Sequence, residues 1–301
     1  MSAPPYEIDA LFQRAWQAQT DGQFEIAMAL YRQILALGEH AQAWLGIGQC
    51  HLDRQERIEA LAAFRKAAAL LPQSGAIRHM VDMLEGGRVP DRAPDDYVLW
   101  VFDGHADNFD THLAALNYRG PQMIASLVKN VWTQNRARAI LDLGCGTGLN
   151  GPMFQPYAGR LDGVDLAPRM LQQSARRQVY DHLYRAEVHD FLRRPPVCYD
   201  AILSTDVFIY IGRLDELFMY SFQYLNPGGE LLFTIELGAD DGPEISLMPT
   251  GRFRQSDAYI RRLANASEFE IAATADGVLR IEEGVPEPGR AYRLISRREV
   301  R

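Results

Sequence analysis

The stretch Leu141-Asp142-Leu143-Gly144-Cys145-Gly146-Thr147-Gly148 decides how this 301-residue chain is read. An apolar strand carrying a carboxylate runs straight into three alternating glycines. Without Cβ atoms, those glycines permit a tight turn and a close approach of ligand to backbone. The next apolar segment, Leu161-Asp162-Gly163-Val164-Asp165, ends in an acid placed to accept hydrogen bonds from both hydroxyls of a ribose. A glycine loop with one acid at the end of the following strand points to adenosine binding.

Around this stretch the chain alternates short apolar strands with helical segments, the pattern of a sheet wound with helices on both faces. Strands are expected near Ala139–Leu143, Leu161–Asp165, Tyr184–Val188, Ala201–Ser204, Glu230–Glu236, within Glu270–Arg280 and at Ala291–Ile295. Helices are expected at Pro168–Val179, Leu214–Tyr224 and Ser256–Ala266, with three more between Asp95 and Trp132 before the first strand. The tail from Glu270 to Ser296 reads as a reversed final hairpin. Gly238 to Gln255, rich in glycine, proline and acids, reads as a loop covering a second substrate.

Four segments then occur in a telling order: Leu141 to Gly148, Gly163-Val164-Asp165-Leu166-Ala167-Pro168-Arg169-Met170-Leu171, Tyr199-Asp200-Ala201-Ile202-Leu203, and Leu225-Asn226-Pro227-Gly228-Gly229-Glu230. On these motifs residues 95 to 298 resemble a class I S-adenosylmethionine-dependent methyltransferase of the small-molecule type. The resemblance implies a Rossmann-like, seven-stranded α/β domain with S-adenosylmethionine as cofactor. It implies that Asp142, Gly144, Gly146 and Gly148 face the methionine end, that Asp165 holds the ribose, and that Leu166 and Met170 line the adenine pocket. Asp190 with Phe191 would meet the adenine edge, and Thr205 and Asp206 would line the cofactor pocket. Phe102-Asp103-Gly104-His105 through Asn117-Tyr118-Arg119-Gly120-Pro121 resembles the lid of methyltransferases with attached tetratricopeptide repeats. There Tyr118 and Arg119 would close over the cofactor, the guanidinium pairing with the methionine carboxylate.

A sulfonium methyl donor leaves the protein mainly to align the acceptor in line and exclude water, so a base is needed only for a protonated acceptor. Candidates are His105, His112, Glu236, Asp206 and Tyr210, none singled out by the sequence. His105 and His112 lie two helical turns apart and can face one side with Phe109. A metal site on these histidines lacks a further ligand cluster, so no metal is expected. Related chains often carry a histidine where Gln255 stands here, which puts an inherited base in doubt. Because Ser204-Thr205-Asp206-Val207 follows the fourth strand in place of an Asn-Pro-Pro-Tyr tetrapeptide, a small-molecule O or N acceptor is favoured over DNA.

The first ninety residues are different. Sliding the chain by 33 residues superposes Leu11 on Trp44, Ala15 on Gly48, Ala27 on Ala60, Tyr31 on Phe64 and Ile34 on Ala67. Within each unit the small residue, the aromatic and the apolar residue fall on one helical stripe. Residues 8 to 72 resemble tetratricopeptide repeats, and Ser74 to Glu85 continues the register as a cap. Gly86-Gly87 and Pro90 to Pro94 break the pattern. The expected organisation is a small all-α repeat domain over 1–90 and a methyltransferase domain over 91–301, with lid helices at 95–135 and a core at 138–298. The repeats either pack internally or offer a concave face to a protein or carrier-protein partner.

Composition bounds the rest. A net charge of −8 argues against a nucleic-acid partner. There is no apolar run of membrane-spanning length and no basic leader, and Cys50, Cys145 and Cys198 form no CxxC pair. A cytoplasmic protein is expected. Two other readings stay open: a scaffold whose repeats bind a partner beside an inactive catalytic fold, and a nicotinamide-dependent oxidoreductase, since Gly146 to Gly151 fits GxGxxG.

Overall fold

The computed structural model describes residues 5–298. Backbone contacts divide the chain into two units: residues up to Arg88 with Pro249–Gly251, and Val89–Met248 with the chain from Arg252 onward.

Among the described residues the first unit holds five helices: α1 (Pro5–Thr20), α2 (Phe24–Leu37), α3 (Ala41–Asp53), α4 (Arg57–Leu70) and α5 (Gly75–Glu85). Each packs on the next in sequence, and α1 also touches α3. Their core joins Ala15, Ala27, Tyr31 and Ile34 with Ala43, Ile47 and Cys50. The superposed pairs are all buried at Ala27 and Ala60, Tyr31 and Phe64, Ile34 and Ala67. Close approach explains the small residues: a Cβ on Gly48 would stand 2.4 Å from the Phe64 ring.

The second unit opens with α6 (Asp95–Asp103), α7 (Phe109–Ala115) and α8 (Gly120–Ser126). The sheet follows with β1 (Arg138–Leu143), β2 (Ala158–Asp165), β3 (His182–Arg185), β4 (Tyr199–Ser204), β5 (Leu225–Leu237), β6 (Ile245–Leu247), β7 (Phe253–Gln255), β8 (Phe269–Glu282) and β9 (Val285–Ser296). Helices α9 (Gly151–Phe154), α10 (Pro168–Arg176), α11 (Val188–Arg193), α12 (Asp215–Tyr224) and α13 (Asp257–Ala266) connect them. The main path runs β3-β2-β1-β4-β5-β7-β6, and β9 joins β5 and β8. The first five strands pair in parallel, while β9 is antiparallel to β5 and β8, the expected reversed hairpin.

Three expectations need correction. Among the described residues nine strands stand where seven were expected, because the segment from Gly238 to Gln255 is not a plain loop: β6 and β7 form a short antiparallel pair at the edge of β5. The third strand lies at His182–Arg185, not Tyr184–Val188. Glu187 accepts hydrogen bonds from the His189 and Asp190 amides and so starts α11 there. Helices α9 and α11 were also missed, being too short to show a helical period.

Strand order reverses at β1, with β2 on one side and β4 on the other. A wound sheet opens a crevice at the carboxyl ends of such strands. Both faces are packed. Leu141, Leu143, Phe218 and Phe233 belong to one cluster, and Ile140, Ala201, Leu203 and Trp132 to the other.

Candidate active site

The carboxyl ends of β1, β2 and β4 line a cavity of about 520 Å³ inside the second unit. Its far wall is the lid: Phe102, His105, Phe109, His112 and Tyr118 all face it.

Three glycines with positive φ shape the loop after β1: Gly144 at 70°, Gly146 at 54° and Gly148 at 83°. Their roles differ. A Cβ on Gly146 would meet nothing within 4 Å, so the loop leaves open space there. On Gly148 it would strike Ser174, Tyr180 and Arg177, so this glycine lets α10 approach and does not line the cavity. Gly144 lines the cavity and is crowded from behind by Val207.

Asp165 reaches the cavity while its carboxylate holds the loop: Oδ2 accepts from the Gly146 amide at 2.8 Å and Oδ1 from the Ala167 amide at 2.8 Å. Each carboxylate oxygen accepts more than one hydrogen bond, so capacity remains for hydroxyl donors. Burial pushes the Asp165 carboxyl above its ordinary range, and the backbone amides oppose that shift. Leu166 and Met170 line the same wall.

Asp142 does not. It is wholly buried, outside the cavity wall, with Oδ1 accepting from Asn150 Nδ2 at 2.8 Å and Oδ2 from the Tyr180 hydroxyl at 2.6 Å. Arg119 is exposed and outside the wall too, its backbone amide bound to Leu279 O at 2.8 Å. Asp190 and Phe191 also miss the cavity. The Glu187 cap turns Asp190 outward to Arg193 at 3.1 Å and sends Phe191 into the core against Tyr184, leaving Glu187 and Val188 in the wall.

Beyond β4, Thr205 and Asp206 line the cavity. Asp206 sits at φ 56°, a left-handed conformation that non-glycine residues rarely adopt. Its amide donates to Thr234 Oγ1 at 3.2 Å and its Oδ2 accepts from Arg280 at 2.8 Å, while Oδ1 is buried without a hydrogen-bond partner. Burial pushes this carboxyl up, countered by the Arg280 charge. Gln255, in the place of the absent histidine, is fully buried and donates to Phe208 O at 3.1 Å and Ile211 O at 2.7 Å. It brackets the short turn that carries Tyr210.

Of the weak base candidates, His105 and His112 line the cavity with Phe109, although α6 ends before His105 and only His112 is helical. Glu236 is corrected: it is buried outside the wall, bound by Arg280 and by Arg252 Nε at 2.7 Å. Arg280, Arg252, Glu187 and Asn150 escaped the sequence reading. The first two gain meaning only through pairing with Asp206, Glu236 and Glu282 across distant segments. Among the described residues no group of three or more His, Cys, Asp or Glu is placed to hold a metal ion.

Residues 141–231 match a family model described as a methyltransferase domain. This segment is a class I methyltransferase domain. A malonyl-[acyl-carrier protein] O-methyltransferase of Serratia marcescens is 30% identical over 137 residues, covering 46% of this chain and 51% of that protein. Phosphoethanolamine N-methyltransferase 1 of Zea mays is 31% identical over 100 residues, 32% of this chain and 20% of that protein. The chain thus spans about half, or less, of the length of these curated relatives. Among solved structures, the [4+2]-cyclase SpnF superposes with a TM-score of 0.56 at 14% identity, covering 70% of this chain and 99% of that one. That likeness shows the shared fold alone.

The cofactor of such a domain is S-adenosylmethionine, and the residues present fit it. The Gly146 cradle is open, Asp165 faces the space beside it, and the buried Oδ1 atoms of Asn150 and Asp206 lack donors.

Proposed function

We propose that this chain transfers a methyl group from S-adenosylmethionine to an oxygen or nitrogen of a small acceptor, free or borne on a carrier protein. The observation that carries this reading is a single cavity where the glycine loop, Asp165 and an aromatic lid meet. When bound, the cofactor supplies an activated methyl group on its sulfonium. The chain's own residues supply position and dryness. Asp165 accepts from the ribose hydroxyls, Leu166 and Met170 pack on the adenine, and Phe102, Phe109 and Tyr118 of the lid exclude water and hold the acceptor against the donor.

The acceptor end is lined by Ile209, Tyr210 and Ile211 with the charged floor of Asp206, Arg252, Arg280 and Glu282. Arg252 and Arg280 already pair with Glu236, Glu282 and Asp206, and Arg92 pairs with Asp95 and Glu187. A carboxylate on the acceptor therefore meets no unpaired arginine in this wall, which favours a hydroxyl or amine. His105, His112, Tyr210 and Asp206 are the cavity groups able to take a proton from it. The relatives named for malonyl acyl-carrier protein support a carrier-borne acceptor as the alternative to a free one.

We read the helical unit as tetratricopeptide-like on its repeated small-aromatic pairs, and its groove beside Trp44, Ile47, Arg32 and Lys66 as a site for a protein partner. Among the described residues no helix is long and apolar enough to cross a membrane. Calorimetric titration of the full chain with S-adenosylhomocysteine, in parallel with NADH, tests the cofactor. Micromolar binding of the first and none of the second is expected; NADH binding, or no binding of either, overturns the proposal. A panel of hydroxyl and amine acceptors, free and carrier-linked, then tests the acceptor class.

A further inference from the structure

We propose that Asn150 is a ligand-binding residue of this site, its Oδ1 accepting a hydrogen bond from the α-ammonium of the bound cofactor, and that Asp142 and Tyr180 act through it by locking its amide. The inference rests on the S-adenosylmethionine reading above.

Asn150 stands at the position that precedes α9, where an asparagine ordinarily caps the helix through its side chain. It makes no such cap bond. Its Nδ2 instead donates to Asp142 Oδ1 at 2.8 Å and to Thr205 Oγ1 at 3.1 Å. That choice of amide orientation is forced, because the reverse would set a carbonyl oxygen against a carboxylate oxygen. The Tyr180 hydroxyl, donating to Asp142 Oδ2 at 2.6 Å, fixes the carboxylate from its other side. Both Nδ2 hydrogens are thus used, and Oδ1 is left.

The residue is 3% exposed and lines the cavity, yet Oδ1 has no hydrogen-bond partner. Leaving a buried carbonyl without a donor is unfavourable, so a ligand that brings one recovers that cost. The acceptor stands on the glycine-loop wall with Gly146 and Asp165, where the cofactor and not the methyl acceptor lies. Asp165 takes the ribose end. Of the cofactor's remaining donors, the adenine 6-amino group belongs on the Leu166 and Met170 side, and the α-ammonium has three N–H groups and no acceptor, the complement of an amide oxygen. Asp142 does not make this contact itself, being 0% exposed and outside the cavity wall. Asn150 touches the ligand; Asp142 and Tyr180 are positioning residues.

The test uses the full chain and three probes in calorimetry: S-adenosylhomocysteine, its analogue with hydrogen in place of the α-amino group, and 5′-methylthioadenosine, which lacks the amino-acid chain. Wild type should bind the homocysteine compound about tenfold or more tightly than the deamino analogue, the worth of one charge-assisted bond. Asn150→Leu, or the gentler Asn150→Ser, should abolish that preference and leave methylthioadenosine affinity unchanged, which also reports an intact fold. Asp142→Asn and Tyr180→Phe should reduce the same preference part-way, again without moving methylthioadenosine. A preference that persists in both Asn150 variants overturns the inference, as does an equal loss for all three probes. Failure of wild type to bind any probe removes the cofactor reading itself, a result visible before any variant is made.

Discussion

The backbone amide of Gly146 and the carboxylate of Asp165 are joined by a 2.8 Å hydrogen bond across the mouths of β1 and β2. The acid we propose for the ribose is therefore also a tie on the glycine loop. Asp165→Ala removes two or more charge-assisted hydrogen bonds at once, and each is worth about 1.5–3 kcal/mol. We expect S-adenosylhomocysteine affinity to fall by about 100-fold or more. Asp165→Asn, which keeps an acceptor for the Gly146 amide, should lose less. Equal losses in the two variants would show that the loop tie contributes nothing.

The lid is fastened to α10 and to the glycine loop by a row of acids. Asp103 Oδ1 accepts from the Arg169 amide at 3.0 Å, Asp107 from Gln173 at 2.9 Å and from the Arg169 guanidinium, and Asp110 from Thr147 Oγ1 at 2.5 Å and from Arg177. Arg177 Nε also donates to Thr147 O at 2.6 Å. The charged partners are largely exposed, with Asp107 at 62% and Asp110 at 48%, so each pair is worth about 1 kcal/mol or less and is screened by salt. Dissociation of S-adenosylhomocysteine in stopped flow should quicken several-fold between about 0.05 and 0.5 M salt. Asp110→Ala should start fast and respond less to salt. A wild-type rate indifferent to salt would remove the latch from any account of release.

Much of this was legible in the residues, because the informative positions are local. Gly144, Gly146 and Gly148 announce a turn by their spacing, and Asp165 closes a strand whose residues Leu161 to Val164 are buried without a break. Leu166 and Met170 follow at helical spacing from the same turn. What escaped depends on contacts the chain order hides. Arg280 lies 74 residues from Asp206 and 44 from Glu236, so nothing in the composition of β8 announces that it will clamp both. Asp190 was misplaced by a cap: Glu187 starts α11 and turns the next acid to solvent, a matter of one backbone turn. Asp142 is expected from the sequence at the methionine end, and only the fold shows Asn150 and Tyr180 taking its two oxygens.

The same clamp makes a stability prediction. Arg280 is 2% exposed and bonds Asp206, Glu236 and Glu282, with Glu236 itself 1% exposed. Arg280→Met fills similar volume but strands buried carboxylates, and breaking a buried pair from one side costs about 3–5 kcal/mol. The melting temperature should fall by several degrees or more, with partial recovery when Glu236→Gln is added, because the second change removes one stranded charge. A double variant no more stable than the single would refute the charge explanation.

Asp142 gives the pH dependence a sign. Burial pushes its carboxyl from the ordinary 3.8 up to about 6, with the Tyr180 and Asn150 hydrogen bonds opposing the shift. Between those values the folded chain keeps a proton the unfolded chain has lost, so this group's contribution to stability is full at low pH and declines as pH rises through about 6. Asp142→Asn cannot titrate. Its melting temperature relative to wild type should therefore rise between about pH 4.5 and 7, a difference that cancels the other carboxylates common to both proteins. A flat or falling difference would place the Asp142 carboxyl at or below its ordinary range.

In the helical unit, the prediction concerns space. A Cβ on Gly48 would stand 2.4 Å from Phe64 Cε1, and one on Gly46 2.2 Å from Tyr31 Cζ, both rings being buried. Gly to Ala inside a helix ordinarily gains about 1 kcal/mol, whereas overpacking a close-packed core costs about 1–3 kcal/mol. With the buried Phe64 ring in the path of the new methyl the second effect should win, so Gly48→Ala is expected to lower hydrogen-exchange protection in α3 and α4 despite its better helix propensity. Phe64→Leu, which withdraws the ring atoms that the new methyl would strike, should make the same Gly48→Ala change neutral or favourable. Unchanged or increased protection in the single variant would mean the two helices can separate at no cost, and the small-residue stripe would then owe nothing to the Phe64 ring.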